Sequence, residues 1–268
     1  MQSTARPHLE REVEITTISP RKRLLQAEVL LVLGLSLGQS AVYAVVDLAG
    51  KLTAGKPLSS QLTTLNPSLA AGRPWLDLSY QLLGIIFGVV PALLALHLLR
   101  RDEAASQDLA GLLPWRLGRD FGFGLGLAAV IGIPGLAFYL ASRWLGINTN
   151  VVPEALPPSW WTLPVLFLAA IQNALLEEVV VVGYLTTRLR EMEWSTWSIV
   201  LASALLRGSY HLYQGFGGFI ANAVMGIVFV AFFLKYRRLG PLVFAHALID
   251  SVAFVGYAFL KDRLPIFH

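Results

Sequence analysis

The residues best suited to chemistry are two adjacent carboxylates, Glu177 and Glu178, inside the otherwise apolar stretch from Asn173 to Leu185. A charged side chain at the centre of a bilayer costs about 2.5–3.5 kcal/mol on insertion scales. Two neighbouring carboxylates also repel each other, so the pair needs a cation, a metal ion or a proton. This pattern predicts a functional site whose partners lie elsewhere in the chain.

Two later apolar stretches contain suitable partners. Arg207 and His211 are four residues apart and share a face of a predicted helix, and the same spacing separates His246 from Asp250. All of these polar groups lie in the second half of the chain, and burial requires them to pair. We therefore predict that one site is formed by Glu177, Glu178, Arg207, His211, His246 and Asp250.

The two glutamates are expected to have different roles. Adjacent helix positions point about 100° apart, so both side chains do not face the same spot. We predict that one of them faces a central cavity and that the other is held by a neighbouring helix.

A carboxylate with two imidazoles is a suitable set of groups for activating water. Glu177, His211 and His246 could bind a zinc ion with one position open for water. Alternatively, Glu177 and His211 hold and deprotonate water directly, while His246 and Asp250 bind the developing oxyanion or orient the site. The spacing is not the His-Glu-x-x-His signature of zinc proteases. The absence of this signature favours acid–base chemistry over metal binding. Either route predicts hydrolysis of a peptide bond that enters the membrane.

Ser209 is the other possible nucleophile because it lies two residues from His211. It lacks the Gly-x-Ser-Gly loop of intramembrane serine proteases, and neighbouring helix positions diverge. A serine protease is therefore not favoured.

Long apolar segments must position these side chains. The chain is 55% hydrophobic and 14% charged, which is typical of polytopic membrane proteins, and it has no cysteine for disulfides or thiolate sites. We predict an all-α transmembrane bundle of seven helices, or eight if a loop hides a re-entrant piece, with the catalytic core in the last four. The predicted spans are residues 24–46, 76–99, 121–145, 162–185, 198–213, 216–234 and 241–260.

The predicted organisation is an N-terminal cytoplasmic tail (1–23), a first group of helices and loops (24–160) and a catalytic core (161–268). Fourteen of the 21 Lys and Arg residues fall on the side of the N-terminus and six on the opposite side. The positive-inside rule therefore places the N-terminus in the cytoplasm and, with seven spans, the C-terminus outside. The net charge of +4 is spread over loops, which indicates contact with lipid and not with nucleic acid. We expect a multi-pass protein of a bacterial plasma membrane, and no feature sets an oligomeric state.

Depth along the helices separates the predicted site residues. At the rise of an α-helix, Glu177 lies about 17 Å from Arg188, whereas His211 lies about 24 Å from Ser195. His211 is thus expected too far from Glu177, unless its helix tilts or breaks near Gly208.

The three stretches resemble the motifs of the CAAX-processing and bacteriocin-processing intramembrane proteases, also called the Abi family, which includes type II CAAX prenyl endopeptidases. The family patterns are Glu-Glu-x-x-x-Arg, Phe-x-x-x-His and His-x-x-x-Asn/Asp, in that order. The matching stretches here are Glu177–Val182, Arg207–His211 and His246–Asp250, within residues 160–260.

The resemblance implies an all-helical membrane fold with a cavity open to the cytosol and the bilayer. It also implies that the substrate is a membrane-associated polypeptide. In this family pattern, Glu177 would be the general base, and His211 and His246 would hold water or a metal ion. Asp250 would assist the oxyanion or the metal.

Two positions depart from the family pattern. Val182 replaces the arginine of the first motif, and Arg207 replaces the phenylalanine of the second. Our hypothesis is that Arg207 compensates by supplying the cation for Glu178, because an unpaired buried carboxylate would be costly. The competing interpretations are a catalytically silent scaffold or immunity-type protein of the same fold and, less favoured, a proton-coupled transporter.

Overall fold

The computed structural model describes residues 19–102 and 117–261, so residues 1–18 of the predicted tail lie outside the described part. Among the described residues, the N-terminal half contains four α-helices: α1 (Pro20–Gly34), α2 (Leu37–Thr53), α3 (Pro74–Arg101) and α4 (Leu117–Trp144). A short 3-10 helix (Leu58–Ser60) and strand β1 (Leu62–Thr64) lie between α2 and α3, and strand β2 (Asn150–Val152) follows α4. The strands pair in parallel, with Leu62 opposite Asn150, and join the loop after α2 to the loop after α4.

The C-terminal half is helical and contains all three motifs. Its elements are α5 (Thr162–Glu177), a π-helical segment (Glu178–Tyr184), α6 (Leu185–Glu191), α7 (Thr196–Ser209), a 3-10 turn (Leu212–Gln214), α8 (Phe216–Tyr236) and α9 (Gly240–Leu260). The first three run on without interruption from Thr162 to Glu191. The prediction of an all-α membrane bundle is therefore confirmed.

A bend of 54° separates α1 from α2. Ser36 at the bend donates from its hydroxyl to the carbonyl of Val32 at 2.6 Å, which satisfies a polar group where the helix is interrupted. A side chain on Gly38 would lie 2.8 Å from the carbonyl oxygen of Leu33. The bend thus depends on a residue without a Cβ at this position.

Five described helices are long and apolar enough to cross a membrane, or six if the bent pair α1–α2 forms one span. The sequence predicted seven or eight. With the bent pair counted as one span, the difference between six and seven is the predicted span 198–213, because α7 has only 14 residues. Such a helix is about 21 Å long, shorter than the roughly 30 Å hydrocarbon core of a bilayer.

Buried ion pairs join the elements at one end of the bundle, here called the Arg188 end. Arg188 is 1% exposed and contacts Glu28 at 2.8 Å, Glu191 at 2.9 Å and Asp102 at 3.1 Å. Asp102 also pairs with Arg21 at 3.0 Å. These contacts connect α1, the end of α3 and α6, which places the three segments at one level.

The opposite end, here called the Lys51 end, is joined by hydrogen bonds between loops. The Lys51 ammonium donates to the carbonyl of Tyr213 at 2.5 Å and to the hydroxyl of Thr63 at 3.1 Å. The backbone N–H of Thr149 donates to the carbonyl of Gln214 at 2.8 Å. Loops from the first half of the chain therefore hold the turn that follows α7.

Candidate active site

A helical hairpin brings the first two motifs together. The segment Thr162–Glu191 and α7 are connected by a short turn around Trp194. Glu177 and His211 lie about the same number of residues before and after that turn, so they meet at one depth, with 3.8 Å between Glu177 Oε2 and His211 Nε2. The difference in depth expected from the sequence disappears, because the distances of Glu177 and His211 along their helices must both be measured from this turn.

His211 itself lies just beyond α7, in the turn that leads to α8. That turn requires Gly215, whose φ is +108° and whose Cβ, if present, would lie 2.7 Å from the carbonyl oxygen of Ile147. Because the helix ends at Ser209, His211 is presented from irregular backbone beside Glu177. This break near Gly208 is one of the two ways in which the sequence allows His211 to lie level with Glu177.

The glutamate pair lies where α-helical geometry gives way to π-helical geometry. Glu177 is the last residue of α5, and Glu178 begins the seven-residue π-helical segment. Insertions of this kind are rare and occur frequently at functional sites, because they redirect side chains relative to a regular helix. Here both carboxylates reach one guanidinium nitrogen, Nη2 of Arg207.

Three groups surround one oxygen of Glu177. The Tyr210 hydroxyl donates to Oε2 at 2.7 Å. Arg207 Nη2 lies 3.5 Å from the same oxygen, and His211 Nε2 lies 3.8 Å from it. Within the described part of the chain, Oε1 accepts no hydrogen bond. One carboxylate oxygen is therefore anchored and the other is available to a ligand.

Glu178 makes a separate set of contacts. Its Oε1 accepts a hydrogen bond from Arg207 and lies 2.7 Å from Nδ1 of His246. The other ring nitrogen of His246, Nε2, lies 3.7 Å from Asp250 Oδ2. The second imidazole thus lies between Glu178 and Asp250, and not against Glu177 as the sequence prediction had it, although it still interacts electrostatically with Glu177.

Arg207 is the cation of the site. Its side chain is fully buried and contacts both glutamates, and its guanidinium lies over the ring of Phe229 at 5.3 Å. Val182, at the position of the family's arginine, is also fully buried. Arg207 therefore stands in the place that the compensation hypothesis requires, against Glu178.

The predicted zinc ligands, Glu177, His211 and His246, do not form a metal-binding arrangement. Across residues 19–102 and 117–261, no three His, Asp or Glu side chains are grouped so as to hold a metal ion. Both nitrogens of His246 face carboxylates, and an imidazole in that setting donates protons and offers no lone pair to a metal. Zinc therefore has no part in the steps proposed below.

Three residues of the site were missed in the sequence. Tyr210 anchors Glu177, the Asn173 side chain interacts with Asp250, and the amide nitrogen of Gln214 lies 3.3 Å from Nδ1 of His211. Tyr210 had a detectable signal, since a buried tyrosine needs a partner for its hydroxyl and this one lies between Arg207 and His211. The other two residues depend on helix rotation and on the turn.

The comparison with protein families bears on this part of the molecule. Residues 159–252 match the family model described as type II CAAX prenyl endopeptidase Rce1-like. This match confirms the predicted resemblance. It covers the π-helical segment and all three motifs, whereas searches of curated proteins and of solved structures returned no match. With the long apolar helices, it supports an integral membrane protein and, in general terms, a protease of the CAAX type.

Proposed function

We propose that the protein is an intramembrane endopeptidase that hydrolyses a peptide bond of a membrane-associated polypeptide with water activated by Glu177. The observation that carries this proposal is the arrangement around Glu177. One carboxylate oxygen is held by Tyr210 and the other accepts no hydrogen bond from the described residues. A general base needs such a geometry, because it must be oriented and still be able to accept a proton.

In the first step, Oε1 of Glu177 accepts a proton from a water molecule. The water oxygen attacks the carbonyl carbon of the scissile bond, and the carbonyl electron pair moves onto its oxygen. The site is buried, so fixed dipoles and charges act on this oxyanion more strongly than they would in water.

His211 is suited to stabilising the oxyanion. The Gln214 amide, 3.3 Å away, donates to Nδ1, and this leaves the proton of the neutral imidazole on Nε2. Nε2 is buried and lacks a hydrogen-bond partner among the described residues. It can therefore donate to the oxygen on which negative charge develops.

In the second step, the tetrahedral intermediate collapses and the carbon–nitrogen bond breaks. Glu177 returns its proton to the departing nitrogen, which leaves as an amine, and the carbonyl side leaves as a carboxylic acid. Glu178, His246 and Asp250 act as positioning residues in this scheme, because their contacts link the π-helical segment, α7 and α9 around the base.

The substrate class follows from the location of the site and from the family's name. A base buried within a helical bundle acts on a polypeptide that reaches it from the membrane or its surface. The matching family is named for prenyl endopeptidases of CAAX sequences. We include a prenylated peptide of this type, and its unprenylated counterpart, among the substrates to be tested.

The test is Glu177→Gln in the purified protein, with both peptides in lipid vesicles. We expect cleavage to fall by at least about 100-fold, the usual contribution of a general base. Glu193→Gln is the matched control, because the Glu193 side chain is 76% exposed at the Arg188 end. Cleavage that survives Glu177→Gln would remove Glu177 from the mechanism.

The same assay tests the zinc prediction. A chelator should leave cleavage unchanged if Glu177 and His211 act directly on water. Loss of cleavage on chelation, with recovery after addition of zinc alone, would show that the metal prediction made from the sequence is right.

A specific contact favours a second candidate, a catalytically silent scaffold. Arg207 lies 3.5 Å from Glu177, whereas the family pattern has an uncharged phenylalanine at this position. A cation beside a carboxylate favours its ionised form and weakens it as a base. In this case the wild-type protein would cleave neither peptide, and Arg207→Phe combined with Val182→Arg would be expected to gain cleavage.

A further inference from the structure

A cleft lies between α2 and the turn that carries His211. It has a volume of about 390 Å³ and is lined by Gln39, Ser40, Tyr43, Ala44 and Asp47 of α2 and by Tyr210 and Tyr213. This volume is within the range of sites that bind small ligands or short peptide segments. The α2 residues recur at helical spacing, so one face of a membrane helix lines the cleft.

This face of α2 is unusually polar for its position in an apolar bundle. Gln39 is exposed and makes no hydrogen bond to any residue in the described part of the chain. An amide without a partner is costly where water is scarce, because hydrocarbon offers its donor and acceptor no compensating hydrogen bond. The unpaired amide of Gln39 therefore indicates a ligand that can both donate and accept hydrogen bonds.

The cleft is directly connected to the candidate base. Tyr210 is one of the residues that line it, and the Tyr210 hydroxyl donates to Glu177 at 2.7 Å. A molecule in the cleft would thus contact the residue that orients the carboxylate.

Lys51 of α2 holds the turn that forms the other wall of the cleft. Its ammonium pairs with Asp47 at 2.5 Å and donates to the carbonyl of Tyr213 at 2.5 Å. Since Asp47 and Tyr213 both line the cleft, this lysine fixes the distance between its two sides.

We propose that the α2 cleft binds the polypeptide segment next to the scissile bond in an extended conformation, with Gln39 pairing with a peptide group. An extended segment carries free N–H and C=O groups, which the amide of Gln39 complements with both a donor and an acceptor. A lipid chain offers neither, and for this reason a polypeptide is the better occupant. The identity of the ligand as a substrate rests on the proposed function.

The experiment captures the ligand without requiring cleavage. A photoreactive benzoylphenylalanine replaces Tyr43, which is 68% exposed at the cleft, in a Glu177→Gln background. The probe is a biotinylated peptide with a farnesylated cysteine near its C-terminus, in lipid vesicles. We expect capture of the peptide at position 43, and about fivefold less capture when Gln39→Leu is added.

The matched control places the same photoreactive residue at Tyr80, which is 46% exposed on α3 and away from the cleft. Equal capture at positions 43 and 80, or no capture at 43, would overturn the proposal. So would loss of capture on addition of farnesylated cysteine without the peptide, since the occupant would then be the isoprenoid chain.

Different results would overturn the Glu177 mechanism and the proposed role of the α2 cleft. Specific capture at position 43, with cleavage that does not depend on Glu177, would leave the cleft as a binding site and overturn the mechanism. Cleavage that depends on Glu177, without specific capture at position 43, would retain the mechanism and overturn the role of the cleft.

Discussion

The Arg207 guanidinium contacts the Glu178 carboxylate, and neither side chain is exposed to solvent. Glu178 is bonded in addition to His246, so one carboxylate joins α7 to α9 through the beginning of the π-helical segment. Breaking a buried pair by removing one partner leaves an uncompensated charge, which costs about 3–5 kcal/mol.

Arg207→Ala should therefore destabilise the protein by about this amount, and it should lower the unfolding temperature in detergent and the yield of monodisperse protein. Adding Glu178→Gln removes the unpaired charge and should recover part of the loss. Arg119→Ala, at an exposed position of α4, is the control and should behave as wild type. An unaltered unfolding temperature in Arg207→Ala would show that the pair does not stabilise the fold.

The family pattern has an arginine at position 182, whereas this chain has its cation at position 207. This exchange of positions allows a second test. Val182→Arg alone introduces a charge at a fully buried position while Arg207 is still present, and should destabilise strongly. Val182→Arg together with Arg207→Phe restores the family pattern and should unfold at a higher temperature than Val182→Arg alone. A double variant no more stable than the single one would contradict the idea that the two positions share one role.

Tyr210→Phe removes the hydroxyl that orients Glu177 and keeps the ring. We expect cleavage to fall by about tenfold to 100-fold, because small misplacements of a catalytic group have large effects on rate. The free energy of unfolding should change by only about 1 kcal/mol, the net contribution of a typical hydrogen bond. Tyr80→Phe is the matched control, and equal rates for the two variants would show that Tyr210 does not position the base.

The predicted orientation in the membrane can be tested by cysteine labelling, since the chain has no cysteine of its own. Lys56→Cys lies in the exposed loop after α2, toward the Lys51 end, and Arg119→Cys lies near the start of α4, at the other end. In intact cells, a membrane-impermeant maleimide should label position 56 and should label position 119 only after permeabilisation. The opposite result would mean that the N-terminus is outside.

Much about this protein follows from local properties of the sequence. Runs of apolar residues identify membrane helices, because burial in lipid is favourable over the length of a span. Charged and imidazole groups inside those runs identify site residues, because isolated charges are not tolerated there. The order and spacing of Glu177, His211 and His246 were therefore sufficient to predict the family resemblance.

Pairing within the site depended on the tertiary structure. Sequence reasoning assigned both histidines to Glu177, whereas His246 contacts Glu178, because the start of a π-helical segment changes the directions of the two carboxylates. The depth of His211 likewise does not follow from the sequence, since it depends on the hairpin turn that α5–α6 and α7 share. The role of Tyr210 follows from the same hairpin.

The contribution of the first half of the chain likewise depends on the tertiary structure. Lys51 and Thr149 are unremarkable in the sequence, yet they bond to the backbone of the turn that presents His211. Such contacts join residues far apart in the chain, so no local pattern encodes them. The amino-acid sequence shows which side chains must find partners inside the membrane. Helix packing sets which partner each one has, because a partner depends on helix rotation, depth and loop position together.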